Sequence, residues 1–234
     1  MCLFFCAYPT LEMATPTRQA WHGKPFSLIT ATPYLRYFSA LPAGQDAVRV
    51  ARLMALTHNT VFRALNSVYV QADAVDPLNI RDVVSFTSFA TFAIDFLENH
   101  HQCEELVFFP MLEAQAGVPG LMGNNVEQHR AFDLPLGALR NYLDSARRGR
   151  TALDAASLRD RIDALAPALE CHLHDEIPSI LAAGTRMSDE AMSACYKALH
   201  DEAEGTTDIF KCVLCCLKAL QRLIRPLCSG SGLL

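Results

Sequence analysis

Apolar residues return every three to four positions along most of the chain, and the pattern breaks wherever turn-forming residues cluster. Between Asp46 and about Asp73, Val50, Leu53, Met54, Val61, Leu65 and Val68 fall on one helical stripe, with His58 on it. Val75, Asp76 and Pro77 interrupt the stripe; Asp76 can cap a second helix and Pro77 suits its first turn. That helix is expected from roughly Asn79 to Ala114, with Pro110 kinking it or ending it early. Gly117, Pro119, Gly120 and Gly123 mark a loop. A third helix is expected from about Asn125 to Arg148, bent by Pro135 and closed by Gly149. Asp154 or Ser157 opens a fourth, which runs through Leu165, Leu169, Leu173 and Ile177 to Ala183, with Gly184 as its C-terminal cap. Ser188, Ala191 and Tyr196 indicate a short fifth helix. No segment alternates in the way a strand requires, and no repeat of fixed period is present.

The two ends read differently. Residues 1–44 carry Pro9, Pro16, Pro25, Pro33 and Pro42 and show no sustained helical period, so an irregular arm is expected, strapped to the body through Trp21, Phe26 and Leu28. Residues 45–185 form the body and 186–234 a helical extension, whose apolar tail from Asp208 to Pro226 holds Cys212, Cys215 and Cys216. The expected fold is all-α: an up-down four-helix bundle with an irregular N-terminal arm and extra C-terminal helices.

Composition narrows the setting. Hydrophobic residues make up 51% of the 234 and charged residues 19%, enough apolar material for a large core. A net charge of −5, with no basic block beyond Arg147, Arg148 and Arg150, leaves no footprint for nucleic acid. No 18-residue stretch escapes charges or helix breakers, so no membrane span is expected. The start, MCLFFCAYP, lacks a basic leading region and is not read as a signal peptide. Nine cysteines, an odd number and mostly scattered, fit a reducing cytosol better than a disulfide framework.

Histidine placement carries the chemistry. His100 precedes Glu104 by four residues, His129 precedes Asp133 and His172 precedes Glu176, while His58 stands alone on the first stripe. On a helix, positions i and i+4 share a face, so each pair can aim two ligands at one small volume. His101–Glu105 and His200–Glu204 repeat the spacing, so five of the eight histidines have it. With 25 acids and 8 histidines in 234 residues, chance would give it to only about one histidine in seven. Ordinary surface pairs do not explain the excess, nor the apolar surroundings of His100: Phe96, Leu97, Val107, Phe108 and Leu112. Spacing leaves His100–Glu104 and His101–Glu105 as alternatives about 100° apart; the first lies nearer the line through Phe96, Val107 and Met111. Four helices offering such ligands inward are how a bundle builds a carboxylate-bridged metal pair. Imidazole with carboxylate and no thiolate suits iron or manganese better than structural zinc.

These residues resemble the hemerythrin-like, or HHE cation-binding, family, and in particular its filamentous-fungal branch. The resemblance lies in HNTVFRALNSVYVQA from His58, HHQCEELVFFPMLE from His100, VEQHRAF ending at Phe132 and LECHLHDEIPSIL from Leu169. WHGKPFSLI from Trp21 adds to it, and the likeness spans roughly residues 20–200. It implies two iron ions, with O2 as ligand or co-substrate. His58, His100, Glu104, His129, Asp133, His172 and Glu176 would be the metal ligands, and Glu104 and Glu176 would bridge. Oxygen-carrying members place a histidine where this chain has Asp133, and their fourth-helix step is one residue longer than His172–Glu176. If Asp133 coordinates, the harder oxygen ligand stabilises higher iron oxidation states, which favours oxygen activation over carriage; if it only accepts a hydrogen bond behind a ligand, one iron is left open to a substrate.

The expected function is therefore an O2-activating oxidoreductase acting on a small organic substrate, plausible within fungal specialised metabolism. The rival reading is a sensor or store for O2, iron or peroxide without turnover. Phe86, Phe89, Phe92 and Phe96 form an aromatic stripe that belongs to the core or lines a pocket beside the metals. A tyrosine near a di-iron centre can be redox-active, and Tyr69, Tyr142 and Tyr196 are the helical candidates, unranked by sequence.

Overall fold

A computed structural model describes residues 25–30 and 44–206. Six α-helices follow one another: α1 Gln45–Gln71, α2 Ile80–Cys103, α3 Phe109–Ala116, α4 Gly123–Arg147, α5 Ala155–Gly184 and α6 Asp189–Thr206. A 3-10 turn, Ala72–Ala74, follows α1, and a π-helical turn, Glu104–Phe108, joins α2 to α3 without a break in helical backbone. No strand occurs among the described residues.

Helices α1, α2, α4 and α5 are the four corners of a bundle in which each packs on its two neighbours. Side-chain pairs fix the directions. Along α1 and α5, Ala47 meets Gly184, His58 meets Leu173 and Asp73 meets Arg159, so the two run antiparallel. Along α2 and α4, Glu98 meets Arg140 and Glu105 meets His129, again antiparallel. Phe62, Phe86, Phe108, Phe132, Met54, Ile94, Leu97 and Leu139 fill the interior. Burying each such side chain contributes about 1.5–3 kcal/mol. Helix α6 lies outside the four corners, against α1, α2 and the π turn, and turns Met192, Cys195 and Leu199 inward.

Local chemistry explains where elements begin and end. Asn79, not Asp76, caps α2, its side chain accepting from Arg81 N at 3.1 Å; Asp76 instead accepts from Leu78 N at 2.9 Å and holds the preceding turn. Asp154 caps α5 by accepting from Ser157 N at 2.7 Å. Gly149 stops the chain after α4 at φ 67°, a conformation that glycine adopts without steric cost. Pro110 neither ends nor isolates the second rod. It follows the π turn, where Phe109 N–H bonds back to Glu104 O, and the wider turn absorbs a residue that cannot donate. Gly184 is inside α5, and the reason is packing rather than capping: a Cβ there would sit 2.3 Å from Ala47 Cβ. The fifth predicted helix, α6, is longer than a short cap and reaches Thr206.

The described part of the arm, Pro25–Thr30, is held across α1 and α5. Asn66 accepts from Phe26 N and donates to Phe26 O (3.0 and 2.9 Å), and Asn59 does the same for Ile29 (2.8 and 2.8 Å). Seven residues of helix rise about 10.5 Å and three residues of extended chain about 10 Å, so the two amides match the strap's repeat. Phe26 and Ile29 are buried and Leu28 is half-buried; Trp21 and the cysteine tail lie outside the described residues. Among the described residues no helix is long and apolar enough to cross a membrane.

Candidate metal centre

His58 comes from the middle of α1, His100 and His101 from the last turn of α2, and Glu104 from the first residue of the π turn. His129 comes from α4, and His172 and Glu176 from α5. All seven side chains are buried, none more than 9% exposed. They form two groups: His58, His100, Glu104 and Glu176 in one, His101, Glu104, His129 and His172 in the other. Within each, one potential ligand atom per residue lies within 4.8 Å of every other. Glu104 belongs to both.

The spacing on α2 produces this sharing. A helix advances about 100° per residue, so Glu104 lies about 40° past His100 and about 60° short of His101. The carboxylate is thus flanked by two imidazoles that diverge into different groups. His100 Nε2 is 3.0 Å from Glu104 Oε1, and Glu104 Oε2 is 3.7 Å from His129 Nε2. The remaining contacts are as close: His58 Nε2 to His100 Nε2 3.1 Å, His58 Nε2 to Glu176 Oε2 3.1 Å, His129 Nε2 to His172 Nε2 2.9 Å.

Those distances suit cations. Two donors about 2.1 Å from one ion at right angles lie about 3.0 Å apart. Satisfaction points the same way: both oxygens of Glu104, both of Glu176 and Nε2 of His101 are buried and make no hydrogen bond of good geometry. Buried polar atoms left in that state are costly, and coordination would relieve the cost. The backs of two rings are fixed. His58 Nδ1 donates to Leu173 O at 2.7 Å and His129 Nδ1 to Glu105 Oε1 at 2.7 Å, which leaves both Nε2 atoms for the centre.

Electrostatics without a cation are unfavourable. Burial pushes His101 and His172 well below the usual imidazole range, and neighbouring imidazoles push them further. Burial also lowers His100, and it lowers His129 despite the opposing carboxylate of Glu105. Burial, then the charge of Glu176, raises Glu104 well above the carboxylate range. Burial pushes Glu176 up too, but the adjacent His58 and further imidazoles outweigh it and lower it from the usual carboxylate range. Burial and the neighbouring Glu176 thus oppose charge on Glu104 in the bare chain.

Six of the residues that the sequence singles out therefore meet: His58, His100, Glu104, His129, His172 and Glu176. Asp133 does not join them; it is exposed on the wall of a cavity beside the centre. His101, set against His100 as an alternative, meets it in the same centre, and Glu105 buttresses His129 from outside. The signal was present as HHxxE, in which one acid follows two histidines at four and three residues. Tyr69 is tied to Asp163, and Tyr142 exchanges hydrogen bonds with the backbone of Asp154. Tyr196 lines a cavity that reaches His100.

Two cavities approach the centre. One, of about 290 Å³ between α2 and α4, is lined by His101 and His129 together with Glu98, Glu105, Asp133 and Phe132. The other, of about 160 Å³ between α2 and α6, touches His100.

Comparison with known proteins gives two matches. Residues 49–182 match the hemerythrin HHE cation binding domain. The chain is also 35% identical over 172 residues to the dimeric xanthone biosynthesis cluster protein R11 of Cryptosporiopsis sp. (strain 8999). That alignment covers 70% of this chain and 64% of the relative, so the chain spans less than two thirds of the relative's length. No solved structure matches.

Proposed function

Because the chain belongs to the hemerythrin HHE cation-binding family, we propose that it is a di-iron oxidoreductase that uses O2 on a small organic substrate. The observation that carries this reading is the pair of buried ligand groups sharing Glu104, with lone pairs that nothing else satisfies. His58, His100, Glu104 and Glu176 would hold one ion, and His101, Glu104, His129 and His172 the other. Four imidazoles or carboxylates per ion, without thiolate, suit iron first and manganese second. An iron pair, when bound, supplies the electrons that reduce O2.

The chain's own residues do the rest. Glu105 and the Leu173 carbonyl hold the tautomers of His129 and His58, so that Nε2 of each faces the ions. Glu104 gives up the proton that burial holds on it when the cation arrives. The 290 Å³ cavity reaches the His101 and His129 side of the centre, with Phe132 and Leu136 in its wall. The relative's name refers to a dimeric xanthone biosynthesis cluster; a role in specialised metabolism is proposed for this chain on that ground.

The test has two parts. Metal analysis of the purified chain should give two ions per molecule. The anaerobically reduced protein should then consume O2 and end in the ferric state, with no return under vacuum. Reversible uptake would instead establish carriage or sensing, and absence of bound metal would end the proposal.

A further inference from the structure

The cavity between α2 and α6 differs from its neighbour in chemistry as well as size. Two nearly parallel ring pairs line it from facing helices. Phe96 and His100 on α2 lie 8° apart in plane with centroids at 6.5 Å; Tyr196 and His200 on α6 lie 3° apart at 6.4 Å. No carboxylate, lysine or arginine is in its lining, whereas Glu98, Glu105 and Asp133 line the larger cavity. A charged substrate would lose its hydration here without a counter-charge, so a neutral one is favoured. The volume, about 160 Å³, is close to that of an engineered apolar cavity of about 150 Å³ that takes up benzene. One ring fits, and a fused polycycle does not.

Polar side chains of the lining, Thr57, Asn99, Cys103, Tyr196 and His200, bear on the functional group. Thr57 lines the cavity and its hydroxyl already donates to Leu53 O at 3.2 Å, so towards a ligand that hydroxyl accepts. A ring hydroxyl, which both donates and accepts, matches this mixed lining.

We infer that the α2–α6 cavity is the organic-substrate pocket and that it takes a neutral, single-ring phenol, seated between Phe96 and Tyr196 beside His100. The inference rests on the proposed oxidase function for its meaning, though not for its geometry. Helix α6 lies beyond residues 49–182, so this wall of the pocket comes from outside the matched domain. Tyr196 would contact the ligand directly, and Arg49 stands over the same ring at 5.8 Å.

The experiment uses the full, metal-loaded chain and 4-fluorophenol, followed by fluorine NMR. Wild type should bind it saturably. Ala203→Phe, which fills the cavity, should abolish binding while two metals per chain are retained. Gln102→Trp, which intrudes on the larger cavity, should leave binding unchanged. Thr57→Val should weaken 4-fluorophenol about fivefold, the worth of one hydrogen bond, and leave fluorobenzene unaffected. Failure of wild type to bind, unchanged binding in Ala203→Phe, or loss in Gln102→Trp would each overturn the inference. Saturable binding by wild type whose reduced form consumes no O2 would keep the pocket and remove the oxidase reading, so the two failures are distinguishable.

Discussion

His101 and Asp133 carry the sharpest contrast at the scale of single residues. Both stand beside the centre, but His101 is 7% exposed with Nε2 unsatisfied, while Asp133 faces the cavity. His101→Ala should therefore reduce bound metal from two ions towards one, and Asp133→Ala should leave it at two, as read by metal analysis. Equal losses would place Asp133 among the ligands. Glu105 belongs to the same scale. It touches no cation in this arrangement but fixes His129 at 2.7 Å, so Glu105→Ala should weaken metal affinity by about 10–100-fold in a competition titration. Thermal stability of the metal-free protein should change little, because Glu105 is partly exposed and its contact is local.

Among the elements, the α1–α5 crossing depends on one missing carbon. Gly184 lets Ala47 approach to a distance at which any Cβ would clash. Gly184→Ala should destabilise the bundle by about 1–3 kcal/mol in urea denaturation, the usual cost of overpacking. Ala47→Gly in the same chain should recover most of that loss, and failure to recover would point to backbone strain instead. The strap is a second element-level device. Asn59 and Asn66 hold Phe26 and Ile29 by their backbones, and Asn59 is adjacent to His58. The π turn is a third: it begins at Glu104, so the shared carboxylate marks the place where regular α geometry gives way before Pro110.

For the whole molecule, the centre couples metal to stability. Without cations the buried imidazoles and two acids lack counter-charges and ligand partners, so the metal-free protein should melt well below the loaded one in calorimetry. Its pH dependence follows from linkage. His100, His101, His129 and His172 are lowered in the fold, so below about pH 6.5 the unfolded chain binds more protons and stability falls with acid. Glu104 is raised, so above about pH 4.5 it acts in the opposite sense. Four imidazoles against one carboxyl should make stability of the metal-free protein rise with pH between about 4.5 and 6.5. A flat or falling melting temperature over that window would contradict the burial of these histidines.

The helices themselves were legible in the chain because a 3.6-residue period, interrupted by Gly, Pro and Asn clusters, is a local property. That His100 could face Glu104 and His172 could face Glu176 was legible for the same reason: side chains spaced by one helical turn share a face whatever surrounds them, while His58 was legible only by its place on the apolar stripe. What lay beyond the sequence was relative rotation. Whether His100 and His101 compete or cooperate depends on how α2 is turned between α1 and α4, and that angle is set by packing of Ile94, Leu97 and Phe108. Asp133 illustrates the converse, since correct spacing on α4 left it facing outward once Phe132 and Leu136 took the core. Gly184 as a contact and α6 as the wall of a pocket likewise follow from pairs of residues far apart in the chain. Period fixes what one helix can offer; only the close packing of several decides which offers meet.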